Sequence, residues 1–325
     1  MKLKVKAAIA AVAAISTLAA TPAFASGNAH SQSARKDTSP STQVNPYDAI
    51  NAAAERDPIT VTPLREGVYL LQGSGGNIGV LPSEDGAFMV DAGVDVSREK
   101  MESALQGLGV SRIGELVNTH WHFDHTGGNS WVHEHGAEII ANPGTLSNLS
   151  RGIRVYEWSH TFPPVVAAAR PTVTISSEKT YTVDGQSVRL RSYDPGHTDG
   201  DLSAYFATSN VLFTGDTFWN GLYPFIDWEV GGNIDGAIEE ANQNIAMADD
   251  DTIVVPGHGP VGTRADLVEF RDMLVGIRNR VADLKGKGLT VEQTIAAKPT
   301  QPFDAEFGQG LIGPDLFTTL VYRTV

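Results

Sequence analysis

The chain is predicted to be an α/β protein in which helices cover the outside of β-sheets, and three observations predict it. From residue 58 to about residue 260, short apolar runs of β type alternate with turns marked by glycine. Two pairs of runs carry hairpin chemistry: 78–81 and 87–90 flank Ser83-Glu84-Asp85-Gly86, and 181–183 and 188–190 flank Asp184-Gly185. Between the strand-like runs, residues 98–108 and 234–247 repeat apolar side chains at helical spacing. Mixed elements of this kind bury their apolar faces by layering helices over sheets.

The first 25 residues read as a secretory signal peptide. Lys2, Lys4 and Lys6 precede an Ala-rich apolar run over 7–20, and Ala23 and Ala25 form an A-x-A cleavage signal. A membrane anchor is the competing reading, but a span needs about 20 apolar residues. This run is shorter and stops before Pro22. Cleavage after Ala25 is expected, giving a periplasmic or secreted product with no membrane attachment. The peptide holds three of the 24 basic residues and no acidic one, so its loss takes the formal charge from −14 to −17. Such a surface repels phosphate backbones, and no basic stripe offsets it, so nucleic acid is not an expected partner. The chain has no cysteine. Disulfides, a lipidated N-terminal cysteine and thiolate ligands are therefore excluded. Any metal must sit on histidine and carboxylate, a set that suits zinc, iron or manganese.

Residues 26–57 are rich in Ser, Asn, Gln and Ala without a sustained apolar period, and read as a flexible leader with a short helix near 47–55. Residues 58–325 read as one domain. Its C-terminal helical segment starts at about 264, with a long amphipathic helix over 264–285 ended by Gly286 and Gly288. Thr290-Val291-Glu292-Gln293 opens another.

Histidine and aspartate at strand ends carry the chemistry. Residues 115–119 read as a strand running into His120-Trp121-His122-Phe123-Asp124-His125, followed by Thr126-Gly127-Gly128. Alternation puts His120 and His122 on one side of an extended segment. Asp124 and His125 fall where the chain turns and can face a second point, so four donors within six residues can hold two cations. The two glycines are expected to let the backbone turn tightly into the next helix. Three later segments repeat a simpler design. Residues 188–193 lead into Asp194-Pro195-Gly196-His197-Thr198, 211–213 into Thr214-Gly215-Asp216, and 252–255 into Pro256-Gly257-His258-Gly259. A glycine precedes each of His197, Asp216 and His258, which fits close backbone approach at a crowded site.

These motifs, in this order over residues 68–259, resemble those of the metallo-β-lactamase superfamily. Each alone is weak, and together they are specific. The resemblance implies a four-layer αββα sandwich with a metal site at one edge of the two sheets. It implies two zinc ions, one on His120, His122 and His197 and the other on Asp124, His125 and His258, with Asp216 bridging. Iron or manganese would accept the same donors. Asp91, in Val90-Asp91-Ala92-Gly93, matches a family position near the metals that orients ligand imidazoles. The implied reaction is hydrolysis, in which a hydroxide shared by two metals about 3.5–4 Å apart attacks a carbonyl carbon. Asp124 would orient that nucleophile and pass a proton to the leaving group.

Five of the nine histidines occupy motif positions. His30 lies in the leader. His133-Glu134-His135 repeats the H-x-H spacing, but near a helix end before Gly136, where solvated imidazoles suit the helix C-terminus. It is not read as a ligand pair. His160, in the aromatic stretch 156–164, is read first as an ordinary loop residue and second as part of a substrate-pocket wall with Trp219. Tyr223 is the residue expected to touch the substrate carbonyl.

Subgroup differences bear on the substrate. True β-lactamases of the superfamily generally carry Cys or Ser where Asp216 stands. A bridging aspartate resembles hydroxyacylglutathione thioesterases, acyl-homoserine lactonases and related ester and lactone hydrolases. No inserted arm of the RNA-processing branch is evident, and His122 stands where redox di-iron relatives usually carry Glu. The expectation is a secreted zinc-dependent hydrolase of a small carbonyl substrate, a lactone, ester or thioester. β-Lactam opening is the alternative that the secretory signal favours. A non-catalytic, metal-stabilised binding protein is the rival from another class.

Overall fold

The computed structural model describes residues 45–325, so the segment read as a signal peptide, His30 and the leader up to residue 44 lie outside the described residues. A seven-stranded sheet contains β1 (Thr60–Pro63), β2 (Tyr69–Gln72), β3 (Ile78–Leu81), β4 (Ala87–Val90), β5 (Ile113–Val117) and β6 (Glu138–Ala141). After a separate hairpin of β7 (Ile153–Val155) and β8 (His160–Phe162), β9 (Val173–Thr174) completes its far edge. The second sheet runs in order through β10 (Glu178–Val183), β11 (Gln186–Ser192), β12 (Leu202–Phe206), β13 (Val211–Phe213) and β14 (Ile253–Val255). Both predicted hairpins form, β3 with β4 and β10 with β11, each antiparallel.

Period-two alternation sends successive residues to different layers. Leu70, Phe88, Val90, Val117 and Ile140 of the first sheet meet Leu190, Ala204, Phe206 and Phe213 of the second in the core between the sheets. Their neighbours Leu71, Met89, Leu116 and Ile139 point the other way, onto Met101 and Leu105 of helix Arg98–Gly107 and Trp131 of helix Asn129–Glu134. Outside the second sheet, Val254 joins Ala241 of helix Ile234–Met247 and Leu267, Phe270 and Leu274 of helix Arg264–Gly286. Four layers result, helix–sheet–sheet–helix, as expected.

Capping chemistry sets the helix starts. Thr263 and Asp266 close a reciprocal capping box on helix Arg264–Gly286, and Thr290 and Gln293 do the same on helix Val291–Ala296. Gly288, at φ +83°, follows the end of the long helix. Helices Asp304–Phe307 and Pro314–Thr324 complete the C-terminal segment. Among the described residues no helix is long and apolar enough to cross a membrane.

The short helix expected near residues 47–55 is present, and because it is held on the domain the flexible reading does not extend to it. Helix Pro46–Arg56 forms there, with Asn45 Oδ1 accepting from Tyr47 N at 2.9 Å. Eleven residues are too few for a stable isolated helix, so tertiary contacts hold it. Lys100 Nζ donates to the carbonyls of Ala54, Glu55 and Asp57 at 2.7–2.8 Å, and Ser74 Oγ to that of Ile50 at 2.8 Å. Tyr47 stacks on His160 with ring centroids 4.0 Å apart.

Candidate metal centre

The strands that feed the site run parallel and end at one edge. β4, β5 and β6 are parallel in the first sheet, as are β13 and β14 in the second. Asp91 follows β4, His120 to His125 follow β5, Asp216 follows β13, and His258 follows β14. His197 lies in the connection from β11 to β12. Ligands just beyond the carboxyl ends of parallel strands are a general feature of such sheets. β5 stops at Val117, and residues 118–122 are irregular. Simple alternation is therefore not what aligns His120 with His122. One helical turn, Phe123–Thr126, then redirects Asp124 and His125.

Two groups of donors converge, His120, His122, His197 and Asp216 in one and Asp124, His125 and His258 in the other. In the first, His122 Nδ1 lies 2.9 Å from His120 Nε2 and 3.1 Å from His197 Nε2. In the second, Asp124 Oδ2 lies 3.3 Å from His258 Nε2 and 3.7 Å from His125 Nε2. Asp216 spans both: Oδ2 is 3.4 Å from His197 Nε2 and 3.4 Å from His258 Nε2, and Oδ1 is 3.0 Å from His125 Nε2. The side chains are almost fully buried, and the His258 side chain, at 16% exposure, is the most open.

The outer hydrogen bonds fix the tautomers. His122 Nε2 donates to Asp227 Oδ2 at 3.0 Å, His197 Nδ1 to the Phe225 carbonyl at 2.7 Å, and His125 Nδ1 to Asp91 Oδ2 at 2.8 Å. His120 Nδ1 donates to Thr119 Oγ1 at 3.1 Å, and that hydroxyl donates to Asp91 Oδ2 at 2.8 Å. In their neutral, ligating form four rings thus hold their proton outward and point a lone pair inward. Facing lone pairs about 3 Å apart repel unless a cation sits among them. With His125 neutral and its single proton on the far nitrogen, Asp216 Oδ1 is also buried with no hydrogen-bond donor. The donor set fits divalent metal.

Electrostatics agree. Burial, reinforced by the other imidazoles, holds His120 well below its ordinary range, and burial lowers His197 despite the Asp216 charge. Both stay neutral, as a metal ligand must. Burial opposes charging of His125 and His258, but Asp216 and its neighbouring carboxylates outweigh it, lifting His125 well up and His258 to about 9. Burial would raise Asp216 too, yet the surrounding imidazoles pull it well below the carboxylate range. The pocket demands positive charge, which protons supply on the bare chain and a dication supplies better.

Three glycines are required by crowding. A Cβ on Gly257 would run into the Asp216 carboxylate, one on Gly196 into the Glu240 carboxyl, and one on Gly215, which sits at φ +53°, into Thr119. Gly127 and Gly128 have helical φ, so they do not make the expected tight turn. A side chain there would strike the carbonyls of Phe123 and Ala92.

Two further expectations change. Tyr223 does not face the site: it is 1% exposed, its hydroxyl donates to Asp304 Oδ1 at 2.9 Å, and its ring stacks on Phe317. The C-terminal segment claims the hydroxyl expected for the substrate. Trp219 is buried with its ring 4.3 Å from that of His258, so it packs on a ligand. His160 stands on β8 against Tyr47 and Phe162. His135 bonds Glu102 at 3.2 Å, away from the metal donors.

Sequence reasoning missed Asp227, Thr119 and the Phe225 carbonyl as outer partners. It also missed Glu240, whose Oε2 accepts from His197 N at 3.0 Å and whose carboxyl is raised by burial and by Asp201. Asp227 had a signal, a single carboxylate after the apolar run Tyr223-Pro224-Phe225-Ile226. A backbone carbonyl has none.

The family model described as the metallo-beta-lactamase superfamily matches residues 71–258. The chain belongs to the metallo-beta-lactamase superfamily. A hydroxyacylglutathione hydrolase of Polaromonas sp. is 29% identical to this superfamily member over 153 residues, 45% of this chain and 49% of that protein. An acyl-coenzyme A thioesterase of Gallus gallus is 23% identical over 225 residues, 60% of this chain and 79% of that protein. The chain spans about half the length, or less, of the first hydroxyacylglutathione hydrolases it matches. Among solved structures, the sec-alkylsulfatase Pisa1 from Pseudomonas sp. superposes with a TM-score of 0.64 at 17% identity, over 82% of this chain and 50% of that one. DIM-1 metallo-beta-lactamase superposes with a TM-score of 0.54 at 22% identity, over 67% of this chain and 97% of that one. At such identities the structures speak to fold. Membership and the converging donors fit a divalent-metal centre of this superfamily.

Proposed function

We propose that this chain is a hydrolase that holds two zinc ions and cleaves a small carbonyl substrate, a lactone, ester or thioester, in the periplasm or outside the cell. Asp216 carries the reading. Its carboxylate touches both donor groups, in the position where β-lactamases of the superfamily generally carry Cys or Ser. The names of the hydroxyacylglutathione hydrolase and the acyl-coenzyme A thioesterase favour the same class. The segment over residues 1–25 supports export.

Bound zinc supplies Lewis acidity at a carbonyl oxygen and lowers the pKa of a coordinated water to about 7. The chain does the rest. Asp124 stands beside His258, the most open ligand, so its carboxylate can orient a water and later return a proton to the leaving oxygen or sulfur. Asp91, Asp227 and the Phe225 carbonyl lock the imidazoles, so the donors need no reorganisation during reaction. Trp158, with its ring 5.8 Å from that of His122, and Trp219 keep bulk water from the ligands.

Metal analysis of the purified protein should find two zinc ions per chain, and turnover should be fastest on lactones, esters or thioesters. A β-lactam rate above all of these would overturn the preference, and bound metal with no turnover on any would favour a binding protein. His122→Ala and Asp216→Ala should each abolish activity and leave the circular dichroism spectrum unchanged. Activity surviving in both would refute the mechanism.

A further inference from the structure

Beside the metal-binding loop lies a cavity of about 220 Å³ whose apolar walls come from three segments. Tyr47 belongs to helix Pro46–Arg56, Phe123 to the loop itself, and Leu149, Phe162, Val165 and Val166 to the stretch that includes β8. Its buried polar walls are already satisfied. Thr126 Oγ1 donates to the carbonyls of Trp121 and His122, and Asn148 bonds Asp199 and Arg151. Asp95 also borders it but is exposed to solvent, so no buried charge faces the interior. Pockets that take a whole small ligand measure about 300–1,000 Å³. This one is smaller, which suits part of a ligand, and its lining asks for an apolar part.

We infer that this cavity binds the apolar chain, acyl or alkyl, of the substrate hydrolysed at the adjoining metal centre. The inference rests on the hydrolytic reading above. Continuity with the donors supports it. Phe123 lies between the ligands His122 and Asp124 in sequence, and its ring lies 6.0 Å from that of Trp158, edge to face. The Trp158 ring lies in turn 5.8 Å from that of His122 and 5.2 Å from that of Phe225. A chain of packed aromatic rings therefore links a metal ligand to the cavity wall, where Tyr47 meets Phe123 at 4.6 Å. The outer lip is apolar too. Val166 is 64% exposed, Pro163 and Pro164 beside it are exposed, and residues 163–168 contain no charge. A strongly acidic chain that presents such a lip over an apolar cavity is arranged for an amphiphilic substrate, with its polar carbonyl at the donors and its tail beneath helix Pro46–Arg56.

The test separates this claim from the hydrolytic one. Binding of linear carboxylates from butanoate to decanoate, used as product analogues, is measured by calorimetry on the metal-loaded full chain. Hydrolysis of p-nitrophenyl esters with the same acyl lengths is measured in parallel. Each added methylene should tighten binding about fourfold until the cavity is full. Val166→Trp at the lip, an exposed position that tolerates bulk, and Val165→Trp further in should end that gradient at shorter chains. The esters should show the same gradient in kcat/KM. Carboxylate affinity that is independent of chain length, or a gradient untouched by both variants, would overturn the inference even if esters turn over. A gradient that both variants shorten, without turnover of any ester, lactone or thioester, would sustain the cavity as an apolar-chain site and sink the hydrolytic reading.

Discussion

Asp227 is fully buried and accepts on one oxygen from both His122 Nε2, at 3.0 Å, and Trp121 Nε1, at 3.2 Å. That carboxylate forces His122 to present Nδ1 inward, whereas His120 and His197 present Nε2. Outer-shell partners of this kind are worth about 10–100-fold in metal affinity. Asp227→Ala should weaken zinc binding by that order, measured by competition with a chromogenic chelator, while the fold persists. Unchanged affinity would mean that packing alone orients the ring. Asp91 serves two ligands at once, His125 directly and His120 through Thr119, and holds φ +64° to do so. A non-glycine residue is kept there only by surroundings that over-determine it.

At the scale of elements, helix Pro46–Arg56 depends on a residue outside it. Lys100 satisfies carbonyls at its C-terminal end, where the helix dipole also favours a cation. Lys100→Ala should cost about 1 kcal/mol and speed amide hydrogen exchange over residues 46–56 more than in the sheets. The β7–β8 hairpin has its own tether, the Tyr156 N–H donating to Glu229 Oε1 at 3.1 Å. Burial lifts the Glu229 carboxyl to about 7; Glu157 and Asp227 add to the rise, while the Tyr156 bond and Arg323 oppose it. A raised carboxyl stabilises the fold fully below its ordinary value near 4.5, and that contribution is lost as pH rises through about 7. Relative to the wild type, Glu229→Gln should therefore gain thermal stability between pH 5 and pH 8. Parallel melting curves across that window would rule out the titration.

For the whole molecule, the donors come from both sheets: His120, His122, Asp124 and His125 follow β5, while Asp216 and His258 follow β13 and β14. Metal binding therefore ties the open edge of the sandwich, and a ligand that binds only the folded state raises its stability. Chelation should lower the melting temperature, and added zinc should restore it in proportion to the logarithm of its free concentration. A melting temperature indifferent to chelator would mean that the edge holds without its cations.

Much of this was legible along the chain. The hairpins at Ser83-Glu84-Asp85-Gly86 and Asp184-Gly185, the helices after Arg98 and Ile234, and the glycine before each late ligand are signalled by residues within a few positions of one another. Their causes are local: turn conformation, alternation, capping and steric room. Tyr223 misled for the opposite reason. An aromatic near a strand end could face substrate or core, and the choice was made by Asp304, 81 residues further on, and by Phe317. The docking of helix Pro46–Arg56 and the tautomer of His122 were likewise settled by Lys100 and Asp227, each distant in sequence. The His-x-His-x-Asp-His segment with His197, Asp216 and His258 was enough to assign donors and chemistry, because metal ligation depends on residue type and backbone exit. Which nitrogen each ring presents, and which aromatics wall the site, follows from burial against distant segments, and spacing along the chain carries no record of that.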